Sequence, residues 1–163
     1  MPLEPPDSQH CQAAIGYTEL GMYEDANAEL ENVDPFNRTT PEVLSIRAAI
    51  YHGLKKWELL RVVALQLTRL EPANVQWIVS LAYATRRAAS IEFARDILLA
   101  AKPIFPQEPV ILFNLACYAC QLGDLDTAKA YLRDAFGIDP RWRDAALDDK
   151  DLEPLWGALN SGV

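Results

Sequence analysis

Cys117-Tyr118-Ala119-Cys120 is the part of the chain whose residue types and spacing most invite chemistry. A CxxC pair can hold zinc or cycle between thiol and disulfide. Neither use fits the surroundings. The pair falls inside a stretch with helical periodicity, and the sequence has no second CxxC. The remaining ligand candidates (His10, Cys11 and His52) lie far upstream. Three cysteines make no disulfide framework and fit a reducing compartment. The cysteines therefore read as small buried apolar side chains. His10 and His52 have no Ser, Cys or carboxylate at a catalytic spacing, and no glycine-rich phosphate loop is present. Glu24-Asp25 and Asp148-Asp149 read as helix-start and surface acids rather than a catalytic pair. The residues thus predict no catalytic site, no metal and no cofactor.

The chain has 163 residues, half of them apolar, and a formal charge of -8. That charge argues against nucleic acid or an anionic membrane as the main partner, since both require clustered cations. By segment the net charge is -7 over residues 1–38, +4 over 39–106 and -5 over 107–163. Met1 to His10 shows neither the basic nor the apolar region of a signal peptide, and no apolar run approaches a membrane span. The expectation is a cytoplasmic protein of one domain.

The elements that must position any functional residue repeat with a fixed step. Pro72, Pro106 and Pro140 are evenly spaced, and Ala14, Ala48, Ala82 and Ala116 keep the same spacing. A period of about 34 residues marks a helix-turn-helix solenoid. Val110 to Pro140 shows it most clearly: two amphipathic helices joined at Gly123-Asp124 and closed by Pro140. Small residues at the eighth and twentieth places of each repeat let paired helices approach closely. Thr40-Pro41-Glu42 is a helix start, with an N-cap, a proline at the first position and an acid on the helix dipole. The exceptions are local. Arg38 stands where later repeats have proline, Arg47 and Leu60 depart from the pattern, and the turn Arg87-Ala88-Ala89 has no glycine.

Over Asp7 to Pro140 the chain resembles the tetratricopeptide repeat (TPR) family. The resemblance implies an all-α solenoid wound as a right-handed superhelix. Residues 1–6 would be a disordered lead-in. Four repeats would follow at about 7–40, 41–74, 75–108 and 109–141. Residues 142–163, with Leu152, Leu155, Trp156 and Leu159 at helical spacing, would cap the exposed end. Gly137-Ile138-Asp139-Pro140 and Asp151-Leu152-Glu153-Pro154-Leu155 also look like the terminal repeats of many bacterial TPR proteins.

The resemblance further implies a non-catalytic adaptor that takes a peptide or a partner helix in a groove lined by the first helix of each repeat. The groove-facing places are Ser8, Cys11, Ile15, Thr18 and Glu19, then Glu42, Ser45, Ala49 and His52. Gln76, Val79, Tyr83, Arg86 and Arg87 follow in the third repeat, and Val110, Phe113, Cys117, Cys120 and Gln121 in the fourth. The favoured surface is Gln76, Val79, Tyr83, Arg86, Arg87, Val110, Phe113 and Cys117: an apolar, aromatic wall with two cations, suited to apolar anchors and one acid. The places where heat-shock co-chaperones of this family carry Lys, Asn and Arg read Cys11, Ile15, Ile46, Gln76 and Ser80, which opposes that role. Two alternatives accompany the adaptor: a chaperone resembling the small acidic TPR chaperones of bacterial secretion systems, and a homodimer formed through the C-terminal helix.

Overall fold

In a computed structural model, which describes residues 2–162, the chain is helical throughout, with no strand among the described residues. Eight helices follow one another: α1 (Asp7–Glu19), α2 (Tyr23–Glu31), α3 (Pro41–Gly53), α4 (Trp57–Leu70), α5 (Val75–Ala88), α6 (Ile91–Ala101), α7 (Pro109–Gln121) and α8 (Leu125–Ile138), with α1 packed on α2, α3 on α4 and α7 on α8. The first helices begin at Asp7, Pro41, Val75 and Pro109 and the second at Tyr23, Trp57, Ile91 and Leu125. Both series keep the step of the proline and alanine series. Then come α9 (Trp142–Asp148), a 3-10 helix (Lys150–Leu155) and α10 (Trp156–Asn160). No helix of the described residues is long and apolar enough to cross a membrane. The contacts divide the chain into two compact units, one up to Ala84 and one from Thr85.

Local chemistry sets the helix ends. The side chains of Thr40, Ser90 and Asp124 accept the N–H of Val43, Phe93 and Thr127, satisfying donors that have no partner within their helices. Three of the turns inside pairs close alike. Met22, Lys56 and Asp124 donate their N–H groups to Tyr17, Tyr51 and Ala119. Gly21, Lys55 and Gly123 donate theirs to Thr18, His52 and Cys120. This double closure needs a left-handed residue at its corner. Gly21 and Gly123 have φ of 73° and 84°, whereas Lys55 is held at 56° with a Cβ. Lys55→Gly is therefore expected to raise stability by about 0.5–1 kcal/mol, read as a higher denaturation midpoint.

In the first unit, Cys11, Ala14, Ala26, Leu30, Val33, Val43, Ile46 and Ile50 form one core cluster. Leu44, Ala48, Leu60, Val63, Leu67 and Ala84 form a second, so Leu60 takes up interior space where other repeats have alanine. Arg47 binds the carboxylate of Glu31 at 2.9 Å and so ties α3 to α2. Arg38 takes over the end of α2 where other repeats use proline. Its guanidinium donates to the carbonyl of Glu31 at 2.5 Å, an acceptor left over at the helix terminus, and to that of Val33 just beyond it at 2.8 Å.

Asp7 fastens α1 to the loop after α2. Its buried carboxylate accepts the Asn37 side-chain amide at 2.7 Å and the Asp34 N–H at 3.0 Å. The Asn37 bond first, then the Asp34 N–H, hold its pKa below the usual carboxylate value. A carboxylate lowered by folding stabilises above its unfolded pKa, and the contribution disappears as pH falls through the folded one. The denaturation midpoint of the chain is expected to fall with pH below about 4, and less steeply in Asp7→Asn. Equal slopes for the two proteins would contradict this role.

Candidate functional site

The first unit carries an open strip across its first helices. A cavity of about 550 Å³ is walled by Thr18 of α1, Ser45, Ala49 and His52 of α3, and Val79, Ser80 and Tyr83 of α5, with Tyr23, Ala48, Leu60 and Trp77 completing it. A shallower one of about 280 Å³ adjoins it through the shared Thr18, Ser45 and Ala49, and adds Ile15, Glu19 and Ile46. The hydroxyls of Thr18 and Ser45 donate to the carbonyls of Ala14 and Glu42 on their own helices, so the strip is more apolar than its composition suggests. At one end three rings meet: His52 lies 5.5 Å from Tyr83 and 5.7 Å from Trp57, and Trp57 lies 5.7 Å from Tyr83. Such spacings fix ring positions by edge and offset contacts. Gly53 makes room beside them, because a Cβ there would lie 2.2 Å from the Tyr23 ring.

Val79 and Tyr83 therefore line this strip, both half-buried, whereas Gln76 is exposed and does not line it. Sequence reasoning placed Thr18, Ser45, Ala49 and His52 facing the groove but missed Tyr23, Trp57 and Leu60, which come from second helices. A signal for the aromatics was present: Tyr23 and Trp57 occupy the same first position of α2 and α4, one repeat apart. Cys11 does not face a groove, since it is 1 % exposed in the core.

In the second unit the corresponding face is covered. The helix α7 is buried on all sides: Ile111, Leu112 and Phe113 and the run Leu115 to Cys120 are all interior. Helices α6 and α8 pack on it, and α9 and the 3-10 helix pack on it as well. Phe113 packs against Trp142 with ring centres 4.8 Å apart and the planes inclined at 46°. Arg86 lies 5.5 Å above the Tyr118 ring and grips both oxygens of Asp151, with Nη2 to Oδ1 at 3.0 Å and Nη1 on Oδ2. Gln121 donates its amide to the Asp151 main-chain carbonyl at 2.9 Å. Leu152, Leu155 and Leu159 are at most 2 % exposed. The expected open surface is thus corrected at three residues. Phe113 and Cys117 are buried at 6 % and 3 % exposure, and Arg86 is engaged by an acid of its own chain. Val110 remains half-buried and Arg87 exposed. The apolar residues expected to drive a C-terminal homodimer are also in use here, with the Trp156 indole N–H bonded to the Ala146 carbonyl at 3.0 Å.

Cys117 Sγ and carboxylate oxygens of Asp149 and Asp151 lie within 4.8 Å of one another, the spacing of a metal-ligand trio. The donor set is unfavourable. Arg86 already neutralises Asp151, and burial, then the charges of Asp149 and Asp151, push the Cys117 thiol far up, away from the thiolate a metal requires. The thiol instead lies 3.8 Å from Asp149, as a hydrogen-bond donor would. His10 pairs with Glu29 at 2.8 Å. Elsewhere in the second unit, a cavity of about 640 Å³ lies between α8 and the segment after α6, lined by Lys102, Phe105, Leu112 and Arg133 among others.

Helix pairs recurring at one fixed step, with small residues buried at the eighth place and left-handed corners inside the pairs, define the TPR fold. No protein-family model matches the sequence, and no curated protein matches it. Solved structures do. TTC0263, a thermophilic TPR protein from Thermus thermophilus, superposes with a TM-score of 0.68 at 19% identity, over 94% of this chain and 82% of that one. PilW, a widely conserved type IV pilus biogenesis factor, gives 0.71 at 18% identity, over 95% and 72%. MamA from MSR-1 gives 0.68 at 19% identity, over 81% and 76%. At these identities the likeness establishes the fold.

Proposed function

We propose that this chain is a protein-interaction module, and that the strip across α1, α3 and α5 of the first unit receives an apolar segment of a partner protein. The observation that carries this reading is the contrast between the first helices. On α7 the apolar inner face is covered by polypeptide and Cys117 is buried, whereas the places equivalent to Cys117 on α1 and α3, Ile15 and Ala49, stay exposed, Ile15 at 44 %. Continuous apolar surface of this kind, rimmed by polar groups, is what partner segments bury. Aromatic anchors fixed by their neighbours lose little entropy on binding. The net charge of -8 accords with a protein rather than a nucleic acid as partner.

The test is photo-crosslinking in the source cells with benzoylphenylalanine at Ala49 and, separately, at Arg69, an exposed residue of α4. A protein joined only through position 49, and lost in Val79→Asp with helicity unchanged, is the expected result. Val79→Asp is expected to weaken binding by about tenfold or more, since it buries a charge on an apolar contact. Crosslinks to the same proteins from both positions would refute the assignment.

A further inference from the structure

The second unit holds a polypeptide segment in the manner of a peptide-binding site. We infer that the inner face of α7, with Arg86 and Gln121 at its rim, is a recognition site for a peptide carrying an acid followed directly by leucine and a second leucine three residues on. The chain's own Asp151-Leu152-Glu153-Pro154-Leu155 is its resident, displaceable occupant. This goes beyond the strip of the first unit and uses none of its residues.

Three observations support it. The contacts combine side-chain and main-chain recognition: Arg86 takes the Asp151 carboxylate in a two-point pair, and Gln121 reads the carbonyl of the same residue at 2.9 Å. A paired guanidinium and a main-chain contact are how peptide sites fix register, while apolar pockets supply affinity. The leucines that follow are seated at 0 % and 1 % exposure on a helix buried all round. Finally, the occupant is not a regular packing helix. It is a six-residue 3-10 helix containing Pro154, between helices of seven and five residues. Elements this short hold no structure by themselves and come away at the cost of their docking contacts alone. A tethered occupant acts at roughly millimolar effective concentration, so the site is closed to weaker peptides and open to stronger ones.

The test uses the full-length chain and a fluorescein-labelled peptide of residues 148–160, followed by anisotropy. In Asp151→Ala/Leu155→Ala the resident segment is weakened and the labelled peptide is expected to bind at least about tenfold more tightly than to the unaltered protein. Adding Arg86→Ala should abolish that gain while far-UV circular dichroism stays the same. A peptide with lysine in place of its aspartate at position 151 should fail to bind. Loss of helicity in the double variant would overturn the inference, because the segment would then be an integral part of the unit. So would a folded double variant that binds no peptide. A concentration-dependent dimer by light scattering, in place of peptide binding, would assign the site to the tail of a second copy and likewise overturn it.

Discussion

Ala116→Arg is expected to abolish cooperative melting of the second unit. Ala116 is fully buried on α7, the helix on which α6, α8, α9 and the 3-10 helix all pack. An arginine there brings two costs at once. Its volume forces the packed helices apart, at about 1–3 kcal/mol, and its unpaired buried charge adds about 3–5 kcal/mol. Their sum is comparable with the whole stability of a domain, about 5–15 kcal/mol. Ala116→Ser tests size against charge, because its hydroxyl can return to the backbone of its own helix, and it is expected to cost only about 1 kcal/mol. Thermal melting followed by circular dichroism separates the two. An unchanged transition in Ala116→Arg would mean that α7 is not packed as described.

The second large effect is expected at Leu152. It is 0 % exposed, directly after the Asp151 that Arg86 holds. Truncation to alanine should cost about 2–5 kcal/mol, the range for a buried leucine whose cavity cannot collapse. Its readout is local. Cys117 and Cys120 lie on the helix that the C-terminal segment covers, whereas Cys11 is in the core of the first unit. In Leu152→Ala the first two should be modified by an alkylating reagent well before Cys11, with positions assigned by mass spectrometry. Protection of all three, as in the unaltered protein, would show that the segment does not depend on this anchor.

Much of the fold is legible because it is written in a repeated step. Prolines, buried alanines and turn residues recur at the same interval, and each has a local physical cause: a helix stop, a close helix crossing, a left-handed corner. Periodicity does not decide which first helix stays open. The fourth repeat is the most regular of the set, and so by sequence Phe113, Cys117 and Arg86 resemble an exposed wall. What covers them comes from residues 142–160, where the period has stopped. The docking of Asp151 on Arg86 spans 65 positions of sequence, beyond the reach of any local pattern. The ring cluster is hidden for a related reason. In the sequence His52 and Tyr83 are separate groove positions, while Trp57, which meets both, belongs to a second helix. Arg38 shows the reverse case, in which a departure from the repeat is made good locally, by a side chain that caps the helix a proline would have stopped.

An apolar face that is open on α3 and covered on α7 is the central feature of this molecule, and thiol accessibility reads both in one experiment. In Ala49→Cys the introduced thiol and the three native cysteines compete for a limiting alkylating reagent, and each is followed by peptide mass spectrometry. Modification at position 49 at least about a hundredfold faster than at Cys117 and Cys120 is the expected result, since burial both hides the native thiols and disfavours their thiolates. Equal rates at positions 49, 117 and 120 would contradict the covered face of α7.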